Sequence, residues 1–324
     1  MENEDEDRVE LEREEVADLP GETINFLELS EMYMDKPTER DFSEHFGLHP
    51  VICAAVWFYL TVEKNEDQEV NNIYIENGIQ AYHLLWWLYW VKTYNTQSVC
   101  AKFCKTSRPT WREKTDVIED LLLGLDVINW VTRFMKDIGC HAKTTIDCTD
   151  CPLQEVSPFD RTLWSFKINA AGARYEIGVC IQTGLIVWVN GPYRPGPWTD
   201  LRIFRDRLIH ELAIGEWVVA DAGYRDGFQF VIPKQTGPSW LQMMTAAGTA
   251  RHETVNGRIK VFGCLKVPFR HGMERHGRVF KAICNVVQIS LQINGPTYTI
   301  NYDDRYLPDI MHYWRMIRDS DGEE

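Results

Sequence analysis

The sequence predicts an α/β fold in which a mixed sheet is flanked by helices and preceded by an all-helical N-terminal region. Two patterns support this prediction: helical periodicity from about 41 to 138, and strand-like runs that alternate with helices from 144 onward. The 324 residues are 44% hydrophobic and 12% aromatic, which is enough for the core of one large domain or two modest ones.

The negative charge is concentrated at the two ends of the chain. Residues 1–41 carry a net charge of −12 and residues 303–324 carry −4, which leaves 42–302 at +2 within the total of −14. A charged end with few apolar residues cannot bury enough surface to offset its ordering entropy. We therefore expect an acidic, largely disordered tail at 1–40, a helical region at 41–138, an α/β domain at 139–295 and an acidic C-terminal tail at 296–324.

The composition predicts a soluble, intracellular protein without a membrane partner. The nine cysteines do not have the spacing of a disulfide framework, and the acidic N-terminus does not resemble a signal peptide. The most apolar run, at 84–91, is far shorter than the roughly 18 residues that span a bilayer.

Four helices are predicted in the helical region: Val51–Leu60 behind a first-turn Pro50, Ala81–Lys92, Gln97–Cys104 and Pro109–Leu125. Ala81–Lys92 is apolar nearly all round, which is typical of a central helix in a bundle. The last two helices, joined by a tight turn, fit two interpretations. They form a helix-turn-helix, in which Arg108 and Arg112 reach DNA phosphates, or a plain corner of a bundle. Acidic residues on the same helix oppose DNA binding, so both interpretations stay open.

From Thr144 the period becomes strand-like. The predicted strands are a first one that closes at Ile146-Asp147, then 163–167, 175–182, 185–190, 217–220 and 228–232, with a hairpin turn at Thr183-Gly184. The predicted helices are Thr199–Leu212, Ala250–Phe262 and Gly277–Gln292, and 191–197 is predicted to be a loop.

Three acidic residues that lie far apart in the sequence mark the predicted site: Asp147, Asp221 and Glu253. Asp147 ends the first strand, Asp221 follows the strand at 217–220, and Glu253 lies on the helix at 250–262. The order of strands and helices is that of an RNase H-like mixed sheet, in which these two strands lie side by side. Because active sites form at such strand ends, we expect the two aspartates to meet.

Carboxylates from distant segments suit a pair of divalent ions, Mg²⁺ or Mn²⁺. Two such ions about 3.5–4 Å apart activate water and relieve charge on the leaving oxygen in phosphodiester cleavage. Asp147 is predicted to bridge the ions, with Asp221 and Glu253 each holding one. Asp200 and Asp150 are accessory candidates, although Asp200 at a helix start is also explained as a cap.

Basic residues near Glu253 indicate a polyanionic substrate. The stretch 251–281 contains eight Lys or Arg against two acids, and Lys260 returns to the helix face of Glu253. Arg251, Arg258 and Lys260 are therefore candidate DNA-binding residues, which would hold backbone phosphates rather than distinguish bases. A solvated surface is the alternative.

The spacing Cys148-x-x-Cys151 admits half of a zinc site or a redox pair. A second such pair is absent from the sequence, and His271-x4-His276, which has a usable ligand spacing, lies more than a hundred residues downstream. Zinc is therefore the weaker hypothesis.

Several short motifs resemble the DDE superfamily endonucleases of the PIF/Harbinger type, which are similar to plant transposon proteins. The resemblance lies between about 140 and 290, within the segment 139–295. The motifs are Ile146-Asp-Cys-Thr149, Lys167, Arg174-Tyr-Glu-Ile-Gly178, Gly191-Pro192 leading to Asp200, Asp221-Ala-Gly-Tyr224, and Arg251-His-Glu-Thr-Val-Asn-Gly-Arg-Ile-Lys260. Two departures are Asp150, where a histidine is common, and Trp198-Thr199 before Asp200, where small residues are more usual.

The resemblance implies a DNA endonuclease or transposase that cleaves and joins strands at transposon ends with a divalent metal. It places the catalytic, metal-binding triad on Asp147, Asp221 and Glu253 and adds Lys167 to the DNA-binding residues. It also implies nuclear localisation, DNA as substrate, a homo-oligomer and a Myb-like DNA-binding partner protein.

The sequence is also compatible with two other functions. The first is a domesticated transposase-derived protein that binds DNA or protein without transposition. The second is a metal-free hydrolase in which two carboxylates act as acid and base. Metal dependence of any cleavage separates these three hypotheses.

Overall fold

The computed structural model describes residues 24–61, 78–134, 142–214, 216–224, 230–231, 239–295 and 300. The described parts of Met1–Val127 and Ile259–Ile293 form one compact unit, and those of Ile128–Arg258 and Asn294–Glu324 form another. This packing groups 259–293 with the helical unit, whereas the sequence pattern predicted those residues in the α/β segment. Within the described ranges, every helix is too short or too polar to cross a bilayer.

The first unit is built from helices. They are α1 (Phe26–Ser30), α2 (Glu39–Phe46), α3 (Pro50–Thr61), α4 (Ala81–Thr93), α5 (Gln97–Phe103), α6 (Arg108–Gly124) and α10 (Gly272–Asn294). The four helices predicted between 51 and 125 are confirmed to within two residues at each end. Phe26 of α1 is buried, so helical structure begins inside the segment 1–40 that was predicted to be a tail. Residues 1–23 and 301–324 of the predicted tails lie outside the described residues.

Helix α4 is the centre of this unit, as its all-round apolarity predicted. Every residue from His83 to Val91 is buried. Helix α6 buries Trp111, Ile118 and Leu122, which repeat at helical spacing, and the Trp111 ring lies 6.3 Å from the Trp90 ring of α4. Ser107 caps the start of α6 by accepting a hydrogen bond from the backbone N–H of Thr110.

Charged side chains join α6 to α10. Glu119 is fully buried on α6, and its carboxylate lies 3.2 Å from Arg275 Nη2 and 3.3 Å from Arg278 Nε. Arg275 Nη2 also lies 2.7 Å from Asp116 Oδ1. Asn285 of α10 donates to the Leu122 carbonyl oxygen at the end of α6 over 2.8 Å. Two arginines of the basic stretch 251–281 therefore serve helix pairing.

The second unit contains the sheet. Its described strands are β1 (Ala142–Pro152), β2 (Trp164–Ser165), β3 (Ala170–Cys180), β4 (Ile186–Tyr193), β5 (Trp217–Val219) and β6 (Phe230–Val231). The strand order is β2-β3-β1-β5-β6, with β4 also paired to β3. Helices α7 (Asp200–Asp206), α8 (Leu208–Glu211) and α9 (Ser239–Ile259) complete the elements of the unit, although α9 ends one residue beyond it.

The predicted mixed α/β character is confirmed, because β1 pairs antiparallel with β3 and parallel with β5. This also confirms that the first strand and the strand after α7 and α8 are neighbours. The side of β1 that carries Ile146 and Cys148 packs on Ile203, Phe204 and Leu208 of the two short helices.

The predicted strand boundaries at Asp147 and at 191–193 are wrong. Asp147 does not close the first strand, since β1 continues to Pro152 and stays paired with β3 as far as Gly172. Residues 191–193 are strand rather than loop, because β4 runs through Gly191 and Pro192 to Tyr193. Gly191 permits this: its φ is +133°, and a Cβ there would lie 2.7 Å from the Tyr175 ring.

Three helix predictions are corrected in extent. The helix predicted at 199–212 is divided at Arg207 into α7 and α8. Helix α9 starts at Ser239 rather than Ala250 and ends at Ile259, so Lys260 and Phe262 lie beyond it. Helix α10 begins at Gly272, five residues before the predicted start. The strand predicted at 163–167 contains only the two residues of β2.

A buried ion pair connects the segments that precede β1 and β5. Arg133 and Glu216 are almost fully buried, and the guanidinium donates to both carboxylate oxygens over 2.7 and 2.9 Å. The Glu216 carboxylate also accepts a hydrogen bond from the Ala213 N–H over 2.8 Å. Because the charges are paired and hydrogen-bonded, the segment before β1 is held to the segment before β5.

Glycine 263 provides a test of the packing in the helical unit. A Cβ at Gly263 would lie 2.5 Å from the carbonyl oxygen of Lys92. We expect Gly263→Ala to lower the free energy of unfolding by about 1–3 kcal/mol, as overpacking does. Gly124→Ala is the matched control, because that added Cβ meets no atom within 4 Å, and it should raise the free energy by up to about 1 kcal/mol. Chemical denaturation measures both, and equal effects would contradict the packing described.

Candidate active site

The parallel pairing of β1 with β5 brings Asp147 and Asp221 to adjoining positions. The last residue pair of this ladder is Thr145 with Val219. Asp147 and Asp221 follow that pair by two residues each, at the point where β5 ends. Asp221 is also one of the charges that raise the pKa of Asp147, so the two carboxylates interact.

Asp200 is the third acid at this place. It is the first residue of α7, behind the N-cap Thr199, and its side chain is 10% exposed. A Cβ added to Gly223 would lie 3.0 Å from Asp221 Oδ1 and 3.6 Å from Asp200 Oδ2. Gly223, two residues after Asp221, therefore leaves room for both carboxylates, and we call Asp147, Asp200 and Asp221 the acid cluster.

Lys167 lies within the acid cluster as its counter-charge. The ammonium nitrogen is 2.9 Å from Asp200 Oδ2 and 3.9 Å from Asp147 Oδ1. It donates to the Cys148 carbonyl oxygen over 2.8 Å, and 39% of the side chain remains exposed. Lys167 was predicted to contact DNA, and the structure shows an ammonium that is held by the acids and still open to solvent.

Arg174 supports Asp200 from the sheet. Its guanidinium donates to both oxygens of Asp150 over 2.7 and 2.8 Å, and its Nη1 lies 2.9 Å from Asp200 Oδ1. Ser165 also donates to Asp150. Asp150, an accessory candidate in the sequence analysis, is buried and bound by these partners, so its oxygens face protein donors.

Burial and neighbouring negative charges raise the pKa of Asp147. Burial raises the pKa of its carboxyl to about 6; the Lys167 ammonium lowers it, and the charges of Asp221 and Asp200 raise it further. For Lys167, burial works to lower the pKa, but the carboxylates of Asp200 and Asp147 outweigh it and raise the pKa. A carboxyl that titrates close to neutral pH beside two others is a feature of functional sites.

Glu253 is exposed on α9, whose neighbouring residues fasten the helix to the sheet. Arg251 is buried and donates to the carbonyl oxygens of Ile181 and Gln182. His252 Nδ1 lies 2.9 Å from Thr145 Oγ1, two residues before Asp147 on β1. The structure thus attaches the helix of Glu253 to the strand of Asp147. No three His, Cys, Asp or Glu side chains in the described ranges are grouped to hold a metal ion.

The other predicted DNA-binding residues have different environments. Arg251 is buried, so its charge serves the protein interior rather than a surface. Arg258 and Lys260 are partly buried near the end of α9. Arg108 and Arg112 are exposed on α6, where Arg112 Nε lies 3.7 Å from Asp116 Oδ2. DNA contact by these residues stays a prediction.

The two cysteines of the Cys148-x-x-Cys151 motif do not face each other. Both are buried on β1 at positions that point to opposite sides of the strand. Cys148 Sγ lies 3.3 Å from the Tyr224 hydroxyl, and burial raises the pKa of its thiol. This placement does not support a shared zinc site or a redox pair.

Glu176 is a buried acid that the sequence analysis did not single out as a site residue. It lies opposite Cys148 on β3 and accepts a hydrogen bond from the Trp188 indole N–H over 2.9 Å. Burial raises its pKa to about 8, while the bonds from Trp188 and Asn190 lower it and the charge of Asp200 raises it. The only sequence signal was its place, with Arg174, in one of the short motifs.

Comparison with known families adds an independent observation. Residues 146–288 match the family described as DDE superfamily endonuclease. The match contains the whole acid cluster, Lys167 and Glu253, and it covers less than half of the chain. Comparison with curated proteins and with solved structures gave no match. Over this segment the chain is similar to DDE superfamily endonucleases, which supports a nuclease- or transposase-type function.

The pKa values of Asp147 and its neighbours can be tested in chelator-containing buffer. We expect Asp221→Asn to lower the pKa of Asp147 from about 6, because a negative neighbour is lost, and Lys167→Met to raise it, because the ammonium is lost. Carboxyl ¹³C NMR titration measures the value. Asp206→Asn, which alters an exposed carboxylate at the end of α7, is the control and should leave it unchanged. The same pKa in all four proteins would refute the coupling.

The protonation of Glu176 predicts a pH dependence of stability. Its pKa is raised from 4.5 in the unfolded chain to about 8 in the fold, so folding favours the protonated acid. The free energy of unfolding should fall as pH rises from 4.5 to about 8.

Glu176→Gln should flatten that slope, because the amide cannot ionise. At pH 8 we expect it to be more stable than wild type by on the order of 2–4 kcal/mol. Glu211→Gln, at an exposed acid of the same unit, is the control and should retain the wild-type slope. Denaturant unfolding across pH measures this, and a wild-type slope in Glu176→Gln would refute the assignment.

Proposed function

We propose that this protein is a metal-dependent DNA endonuclease of the DDE transposase type, which cleaves and joins phosphodiester bonds at transposon ends. The observation that carries the proposal is the register of β1 and β5, which brings Asp147 and Asp221 together. Both acids lie inside the segment that matches DDE superfamily endonucleases. The lysine and the third acid beside them make a charged, partly open site rather than a buried structural pair.

The donor chemistry of the acid cluster fits a hard divalent cation. The available ligands are carboxylate oxygens, which Mg²⁺ and Mn²⁺ prefer. Burial and, after it, the charges of Asp221 and Asp200 raise the pKa of Asp147, and a bound cation would favour the ionised carboxylate. We propose Asp147, Asp221 and Glu253 as the residues that would hold it. When bound, two such ions would supply an activated water and a counter-charge for the leaving oxygen.

The chain's own residues supply the rest of the site. The Lys167 ammonium, held between Asp200 and Asp147 but partly exposed, is placed to contact a non-bridging phosphate oxygen. Arg174 and Asp150 hold Asp200 in place, so we propose positioning roles for them. His252 and Arg251 fasten α9, which presents Glu253. His252 is neutral at pH 7, because burial lowers its pKa to about 4.

We also propose the type of sheet, the transposase subfamily, the substrate and the partners. The strand order, with an antiparallel neighbour on one side of β1 and a parallel neighbour on the other, supports an RNase H-like sheet. The short motifs quoted from 146–260 support the PIF/Harbinger type within the superfamily. DNA as substrate, nuclear localisation, a homo-oligomer and a Myb-like partner protein are proposals from the same resemblance.

A nicking assay on supercoiled plasmid with Mg²⁺ or Mn²⁺ tests the proposal. Asp147→Asn and Asp221→Asn should each reduce the nicking rate by about 100-fold or more, since each removes a metal-binding oxygen. Glu253→Gln should do the same if its carboxylate completes the set. Asp206→Asn changes charge equally at an exposed position and should keep the wild-type rate.

Three outcomes separate the hypotheses. Unchanged nicking in the Asp147 and Asp221 variants refutes the assignment of the site. Nicking that survives EDTA points to a metal-free hydrolase that uses carboxylates as acid and base. DNA binding without any cleavage indicates a domesticated binding protein.

A further inference from the structure

Five arginines are exposed around the connection from β4 to α7. They are Arg161, Arg194, Arg202, Arg205 and Arg207, and we call them the arginine surface. The acids within the same segments, 160–162 and 193–207, are Asp160 and Asp206, together with the buried Asp200 that Lys167 and Arg174 neutralise. Since 42–302 has a net charge of only +2, this local excess of positive charge is large for the protein.

Backbone contacts show that these segments are contiguous. The Gly196 N–H donates to the Thr162 carbonyl oxygen over 3.0 Å, and a Cβ on Gly196 would lie 3.1 Å from the Arg161 carbonyl oxygen. Arg194 Nη1 donates to Thr162 Oγ1 over 2.7 Å. Arg202 Nη1 donates to the Pro197 carbonyl oxygen over 2.8 Å. Arg161, Arg194 and Arg202 therefore belong to one surface. The Tyr193 hydroxyl donates to Asp206 Oδ2 over 3.2 Å, which brings the segment of Arg205 and Arg207 beside it.

This surface borders the acid cluster. Arg174 Nη1, which lies against Asp200, also donates to the Trp198 carbonyl oxygen over 3.0 Å. The Arg202 guanidinium lies 4.4 Å from the centre of the Trp198 ring, and the Tyr193 ring lies 4.7 Å from the same ring. Guanidiniums interleaved with aromatic rings are typical of nucleic-acid surfaces.

The basic stretch 251–281, by contrast, uses its arginines inside the protein. Arg251 is buried against two carbonyl groups, and Arg270 donates to the Tyr94 carbonyl oxygen over 2.6 Å. Arg275 and Arg278 are paired with acids of α6. The charge that the sequence concentrates at 251–281 is thus largely committed to protein contacts. At the arginine surface, Arg194 pairs with Asp160 over 2.5 Å and Arg207 lies 4.0 Å from Asp206, but all five arginines remain exposed.

We propose that the arginine surface holds the phosphate backbone of DNA that leads into the acid cluster. This inference rests on the proposed function for the identity of the polyanion. Guanidiniums bind phosphate oxygens in a bidentate fork, so exposed arginines can hold a backbone without contacting base edges. The site that cleaves DNA and the surface that holds it then adjoin through Trp198 and Asp200.

Fluorescence anisotropy of a labelled DNA duplex with the full chain in EDTA tests the surface without cleavage. The test variant combines Arg161→Gln, Arg202→Gln and Arg207→Gln. The control combines Lys36→Gln, Arg40→Gln and Lys102→Gln, three exposed basic residues of the helical unit that have no proposed DNA contact, and so changes the charge equally. Each lost phosphate contact should reduce the slope of log affinity against log salt by about 0.9, so we expect a reduction of about 2–3 in the test variant only.

The outcomes are distinct. A reduced slope in the control but not in the test variant places the DNA contacts on the helical unit and overturns the inference. Unchanged slopes in both variants also overturn it, provided that circular dichroism shows folded proteins. Loss of binding in the test variant, with no metal-dependent nicking by the wild-type protein, supports the surface while the proposed nuclease function fails.

Discussion

The short parallel ladder between β1 and β5 is the constraint on which the site depends. It ends at Thr145 and Val219, and the next alternate residues are Asp147 and Asp221. A shift of one residue in this register would move each side chain to the opposite face of its strand. The antiparallel pairing of β1 with β3 along its length, and the buried pair of Arg133 with Glu216, hold the ladder in place.

Charge compensation makes such a cluster of acids compatible with folding. Lys167 neutralises part of the charge of Asp147 and Asp200 and remains partly exposed, so it is available to a substrate. Arg174 is almost buried and binds Asp150 and Asp200 together, which ties β1, β3 and α7 at one point. Lys167 thus remains partly exposed at the acid cluster, whereas Arg174 is buried in the core. The exposed ammonium is available to a charged ligand.

Arginines stabilise helix pairing in one place and are proposed to bind DNA in another. Arg275 and Arg278 pair with acids of α6 because the two helices bury Glu119 between them. A buried carboxylate without such partners would be costly. Basic composition alone therefore did not locate a nucleic-acid surface. The burial of Arg251 and the pairing of Arg275 and Arg278 with α6 make the arginine surface a better candidate for DNA than 251–281.

Local patterns in the sequence determined the helices between 51 and 125, because a helix depends on spacing along the chain. The order of strands and helices predicted that the strands of Asp147 and Asp221 are neighbours. Tertiary structure decided what depends on distant segments. Pairing with β3 carries β1 past Asp147, and burial gives Glu176 a pKa of about 8. The ion pair between Asp200 and Lys167 also depends on tertiary structure, because these residues lie 33 positions apart in the sequence and only the fold brings them to 2.9 Å.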